Sequence, residues 1–233
     1  MFVSRSMTRR VVTIGPEASI FEAQDLMAKS RVRHIPVVEE GSMLVGIVSD
    51  RDLRSALPFR YFKEGISAEE KSKLQDLRVK DIMTRKVFTI SPGYTIQDAL
   101  LMIQNAKVGA LPVVDENGRL KGILSVRDLL RAFVNVLGIG QPGTLLCILV
   151  EEKVGQLKKI VDAITEMGVS FGSVLVARYW EEDKRAVFPY LLTQNVAHVK
   201  KRLKEMGYTL LDPMQWYLDQ LPEEDRPPDQ PRS

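Results

Sequence analysis

The chain repeats itself. Displaced by 76 positions, residues 7–54 fall on residues 83–130 without a gap, and 21 of the 48 pairs are identical. Met7-Thr8-Arg9 lies on Met83-Thr84-Arg85, and Pro36-Val37-Val38 on Pro112-Val113-Val114. Gly46-Ile47 lies on Gly122-Ile123, and Arg51-Asp52-Leu53 on Arg127-Asp128-Leu129. So much identity in one register is a duplication, and each copy must satisfy the same fold.

Each copy reads as β-α-β-β-α. Residues 11–14 form a short β-rich run that Pro16 ends. Ser19 with Glu22 makes a capping box, and Ile20, Ala23, Leu26 and Met27 then share one face of a helix. Residues 35–39 and 44–48 are strands joined at Gly41-Ser42, and Ser49 with Asp52 opens a second helix. The second copy has Thr95 and Asp98 at its first cap and the hairpin signal Asn117-Gly118 at its turn. Between the copies, residues 59–78 hold a mostly polar linker helix over 67–77. After the second copy, Gly138, Gly140 and Pro142-Gly143 mark a boundary.

Charge and composition exclude several classes. Thirty-three basic against 30 acidic side chains leave a formal charge of only +3, with no Lys/Arg block of the kind that reads nucleic acid. No apolar stretch is long enough for a membrane span, and no h-region follows the charged first ten residues, so a cytoplasmic protein is expected. Two histidines (His34, His198) and one cysteine (Cys147) argue against a zinc site, and Cys147 in its apolar run reads as a core residue. Nothing marks a P-loop, a dinucleotide-binding glycine fingerprint or an acid/base pair, so no catalytic residue is assigned.

The Met-Thr start, the Val-Thr-Ile and Pro-Val-Val runs and the Gly-Ile-Val-Ser-x-Arg-Asp-Leu ending resemble the CBS domain. Two copies, over residues 1–58 and 79–134, resemble a tandem CBS pair. That resemblance implies a regulatory module taking an adenine nucleotide (AMP, ADP, ATP or S-adenosylmethionine) between the copies. It implies Ser49, Arg51, Ser125 and Arg127 at phosphate and Asp52 and Asp128 at ribose. Thr13 and Thr89 would touch the base or ribose. Ser-x-x-Asp is also a capping box that needs no ligand, so both readings stand. Arg33-His34 precedes Pro36, where basic residues in some CBS pairs reach phosphate. The second copy has Gly109-Ala110 instead, so one cleft should be richer in cations.

The last third reads β-α-β-β-α-β over 143–213, the ferredoxin-like order. Its first helix carries Leu157, Ile160, Val161, Ile164 and Met167 on one face, and its second, capped at Asn195, carries Val196, Val199, Leu203 and Met206. With Gly155 at the first strand–helix turn this resembles an ACT domain, though without the usual Pro before that glycine. A ligand at Gly155, typically an amino acid, is an expectation of the resemblance; a tight turn is the plain reading. CBS pair and ACT-like domain together resemble the acetoin-utilisation B family, and residues 222–233 read as a disordered tail. The resemblances imply a homodimer acting on a regulated protein partner, with no catalytic cofactor. Trp180, Trp216 and Tyr217 read as core or interface. An amino-acid sensor and an acetoin-related enzyme are the alternatives.

Overall fold

The computed structural model describes residues 1–56, 75–178 and 183–211. The expected linker helix lies almost wholly outside these residues. So do the tail, Trp180, Trp216 and Tyr217. The chain forms two compact units, Met1–Ala132 and Phe133–Ser233.

In the first unit each copy begins with one turn of helix, α1 (Val3–Ser6) and, in the second copy, α4 (Val79–Ile82). The first copy continues with α2 (Ile20–Ser30), the hairpin β1 (His34–Glu39) and β2 (Met43–Ser49), and α3 (Asp50–Ala56). The second repeats this as α5 (Ile96–Ala106), β3 (Ala110–Val114), β4 (Leu120–Ser125) and α6 (Val126–Leu137). Both expected capping boxes form. Ser19 Oγ accepts from Glu22 N at 3.1 Å while Glu22 accepts from Ser19 N at 2.7 Å. Thr95 and Asp98 do the same at 3.1 and 2.9 Å. The hairpins match down to a bulge at Val37/Val38 and at Val113/Val114.

The expected strand over 11–14 is reduced to a single bridge, Ile14 to Val37, and its counterpart to Ile90 with Val113. One residue of each run buries itself on its own hairpin, and the residues before it are free to line something else.

The copies exchange their first residues. Val3 N donates to Tyr94 O and Val79 N to Ala18 O, both at 2.8 Å, so each opening turn docks on the other copy's helix cap. Thr8 bridges Ile123, and Thr84 bridges Ile47. Val79 and Met83 of the second copy belong to the core of the first, beside Ile20, Ile35, Val37 and Leu53. Gly46 and Gly122 make the exchange sterically feasible. A Cβ there would lie 2.5 Å from Met83 Sδ and 2.6 Å from Met7 Sδ.

Among its described residues the second unit holds a five-stranded antiparallel sheet and two helices packed on it. Its strands are β5 (Thr144–Leu145), β6 (Cys147–Glu151), β7 (Phe171–Arg178), β8 (Lys184–Leu191) and β9 (Thr209–Leu211). They run β9–β6–β8–β7, with β5 also on β8. Helices α7 (Gln156–Glu166) and α8 (Ala197–Glu205) bury Ile160 with Ile164 and Val199 with Leu203, each pair one helical turn apart. Helix α8 is capped by Val196 without a side-chain bond; Asn195, expected there, instead donates its backbone N–H to Thr193 Oγ1. Cys147 is buried in β6, and burial pushes its thiol up to about 11, so it is inert at neutral pH. Among the described residues no helix is long and apolar enough to cross a membrane.

Candidate ligand clefts

Each copy ends its hairpin by running directly into a helix, and that junction shapes a cleft. In the first copy Asp52 Oδ2 accepts from Ser49 N at 2.8 Å and from Ser49 Oγ at 2.7 Å. In the second, Asp128 Oδ2 accepts from Ser125 N at 2.9 Å and Ser125 Oγ at 2.6 Å. The capping box is therefore real at both junctions. It uses one carboxylate oxygen of each aspartate. Asp52 Oδ1 has no partner among the described residues, while Asp128 Oδ1 is approached by Thr8 Oγ1 at 3.4 Å and Arg131 Nη1 at 3.6 Å. A carboxylate has lone pairs for further donors, so capping and ligand binding are compatible. The serine hydroxyls donate to the aspartates.

The exchange of opening residues makes both clefts joint property of the two copies. The first cleft, about 410 Å³, sets Ser49, Arg51 and Asp52 of one copy against Thr84, Lys86 and Phe88 of the other. The second, about 600 Å³, sets Ser125, Arg127 and Asp128 against Thr8, Arg10 and Val12. Arg33 and His34 line both clefts, as do Gly109 and Ala110. The expectation that Arg33-His34 would enrich one cleft over the other is thus corrected: these residues sit between the two. The reason is packing. The His34 ring lies where a Cβ on Gly109 would be, 2.6 Å from its Cε1, so the histidine fits only because its repeat partner's neighbour is glycine.

Thr13 and Thr89 do not line either cleft. Val12 and Phe88, one residue earlier, do. In extended backbone adjacent side chains point to opposite sides, so a choice of the neighbouring residue reverses the face. Thr8 and Thr84 were not singled out in the sequence; their place as an identical pair at the head of each copy is the signal that marks them. Arg31 and Lys107, also on the cleft walls, close α2 and α5 in the left-handed conformation, each at φ 53°. Glycine is the default residue for such a cap, yet both copies place a long basic side chain there.

His34 is held neutral. Burial lowers its pKa first; Arg33 and Arg51 lower it further, against Asp52 and Asp50, which raise it. In the second unit Gly155 takes φ 93° as the residue before α7, with open space around it. Its conformation, not crowding, calls for glycine. No group of three His, Cys, Asp or Glu suited to a metal occurs among the described residues.

The CBS domain family matches residues 3–58 and 79–135. The chain carries that domain as a tandem pair. Among solved structures it resembles the acetoin utilization protein AcuB of Vibrio cholerae. That match is 28% identical with a TM-score of 0.50, over 60% of this chain and 95% of that one. Curated relatives are longer enzymes. Inosine-5'-monophosphate dehydrogenase of Aquifex aeolicus is 32% identical over 121 residues, 52% of this chain and 22% of the enzyme. Homoserine O-acetyltransferase of Methanococcoides burtonii is 36% identical over 129 residues, 55% and 23%. The chain spans about a fifth of the length of such relatives.

Proposed function

We propose that this chain is a non-catalytic regulatory sensor that binds an adenine nucleotide in the clefts shared by its two CBS copies. The observation that carries the reading is the joint construction of each cleft. A Ser-x-x-Asp junction from one copy faces threonine and a cation from the other. A ligand in such a cleft touches both copies, so binding acts on their relative arrangement. A signal passes if the ligand prefers one arrangement. Arginine and lysine supply phosphate donors, and the aspartates' remaining lone pairs suit ribose hydroxyls. Two relatives of unlike chemistry, a dehydrogenase and an acetyltransferase, each match about half of this chain, which favours a module that serves reactions over one that performs them.

In this reading the second unit is an ACT-like domain, supported by its β-α-β-β-α-β order and the strand sequence β9–β6–β8–β7. The protein works in the cytoplasm as a homodimer, with acetoin or related carbon metabolism as its setting on the strength of the AcuB likeness. Exposed apolar side chains on α5 and α6, Leu101 and Leu130 among them, support self-association.

Isothermal titration of the whole chain with AMP, ADP, ATP, NADH and S-adenosylmethionine tests this. Saturable binding that Asp52→Ala or Asp128→Ala weakens roughly ten- to hundredfold is the expected result. Unchanged binding in both variants reduces the junctions to caps. Turnover of acetoin with NAD would overturn the non-catalytic reading.

A further inference from the structure

An antiparallel sheet with one solvated face alternates apolar and polar residues along its strands. In the second unit β6, β7 and β8 do not alternate. Each holds an unbroken apolar run, at residues 147–150, 174–177 and 186–189. Ile148, Val150, Val174 and Val187 pack with α7 and α8. Side chains point to opposite sides in turn, so Cys147, Leu149, Leu175, Ala177, Ala186 and Phe188 share the other face. The register sets Leu149, Ala186 and Ala177 in one row across the three strands, with Phe188 beside Leu175. The entering chain covers one end of this face. There Ser173 Oγ donates to Leu137 O at 2.7 Å, and Tyr190 Oη to Gln141 O at 2.6 Å. Leu145 and Leu175 on the same face stay 43% and 45% exposed. The pattern is that of a sheet with two covers, and the helices supply one.

The chain itself carries a strip that fits the other. Strand β9 ends at Leu211, beside Cys147. Pro213 follows, and without an N–H it cannot extend the ladder. Met214, Trp216 and Leu218 then stand at alternate positions, so an extended chain presents all three on one side. The apolar character stops at Leu221, because residues 222–233 hold only prolines, charges, a glutamine and a serine. The lengths agree. Seven residues from Asp212 to Leu218 reach up to ~23 Å, and the three strand spacings from β9 to β7 amount to ~14 Å. A face and a strip joined by two residues also meet at a far higher effective concentration than two separate chains do.

We propose that residues 213–221 fold back across this face as the second cover of the sheet, with Met214, Trp216 and Leu218 turned onto it. The sheet is then completed within one chain. Its outer face opens to another protein only when the segment leaves.

The chain has two tryptophans, so Trp180→Phe leaves Trp216 as the sole indole. Acrylamide quenching of its fluorescence is measured on the full chain, native and in urea, over a wide range of protein concentration. Native quenching is expected to be several-fold weaker than in urea and independent of concentration. Leu175→Asp puts a charge on the open face and should raise quenching to the urea level. Leu175→Ser should act in the same direction and carries the test if circular dichroism shows the aspartate variant unfolded. Native quenching equal to that in urea, or shielding that both Leu175 variants leave intact, would overturn the proposal. Shielding lost on dilution would overturn it as well, by assigning the face to a second copy.

Discussion

The two copies share identical residues in their interiors and at the Ser-x-x-Asp junctions, and part company at particular positions on their clefts. Val37 and Val113, Pro36 and Pro112, Leu53 and Leu129 are identical pairs, all buried. Val12 and Phe88, Arg33 and Gly109, His34 and Ala110 differ, and all face the clefts. A packed interior resists change because a methylene more or less costs stability. A cleft wall bears no such restraint. Differences at these cleft positions are therefore not forced by packing.

The largest expected effect tests the shared frame. Val3→Asp and Val79→Asp each place a charge at a fully buried site, at an expected cost of about 3 kcal/mol or more. Because the opening turns are exchanged, each substitution should destabilise both copies by similar amounts in urea unfolding. A variant that unfolds one copy and spares the other would break the symmetry. Next come Gly46→Val and Gly122→Val, which force the opposing methionine aside at about 1–3 kcal/mol each. Unequal losses would show that one docking is looser.

A third test concerns the cation held in a left-handed cap. Arg31→Gly should weaken nucleotide binding several-fold while stability stays within about 1 kcal/mol of wild type, because glycine adopts that conformation freely. A marked loss of stability with unchanged binding would make Arg31 a packing residue.

The smallest expected effect is the pH response of His34. Its folded pKa lies below the ordinary 6.5. Above that value the histidine is neutral in both states, and stability does not depend on it. As pH falls below 6.5, the unfolded chain takes up the proton first, so stability declines until the lowered folded value is reached. A phosphate near His34 reverses the bias, so nucleotide binding near pH 6 should take up protons. Titration in buffers of different ionisation enthalpy reads this against the proton release of the nucleotide's own phosphate, and His34→Ala should remove the histidine's share.

Much of this was legible in the residues. The period of 76 exposed the duplication, and Ser19/Glu22 and Thr95/Asp98 placed two helix starts, because capping and alternation are local. The junctions at Ser49–Asp52 and Ser125–Asp128 were legible for the same reason. The exchange was not. Nothing local in Met7-Thr8 says that it pairs with Ile123, 115 positions beyond Thr8, rather than with Ile47 of its own copy. The place of Thr8 and Thr84 on the clefts follows from that exchange and from nothing local. The resemblance points to Thr13 and Thr89, whereas the wall is set by which way the backbone turns each side chain, and that brings Val12 and Phe88 to it.

The exchanged opening turns also bear on descent. The interior of the first copy is closed by Val79 and Met83 of the second, so one copy by itself lacks part of its own interior. A forebear with a single copy would have needed a twin molecule to lend those residues and to complete a cleft. Fusion of two genes would then have tethered a partnership that already existed, and freed each half of the cleft to diverge because the twins were no longer obliged to be identical.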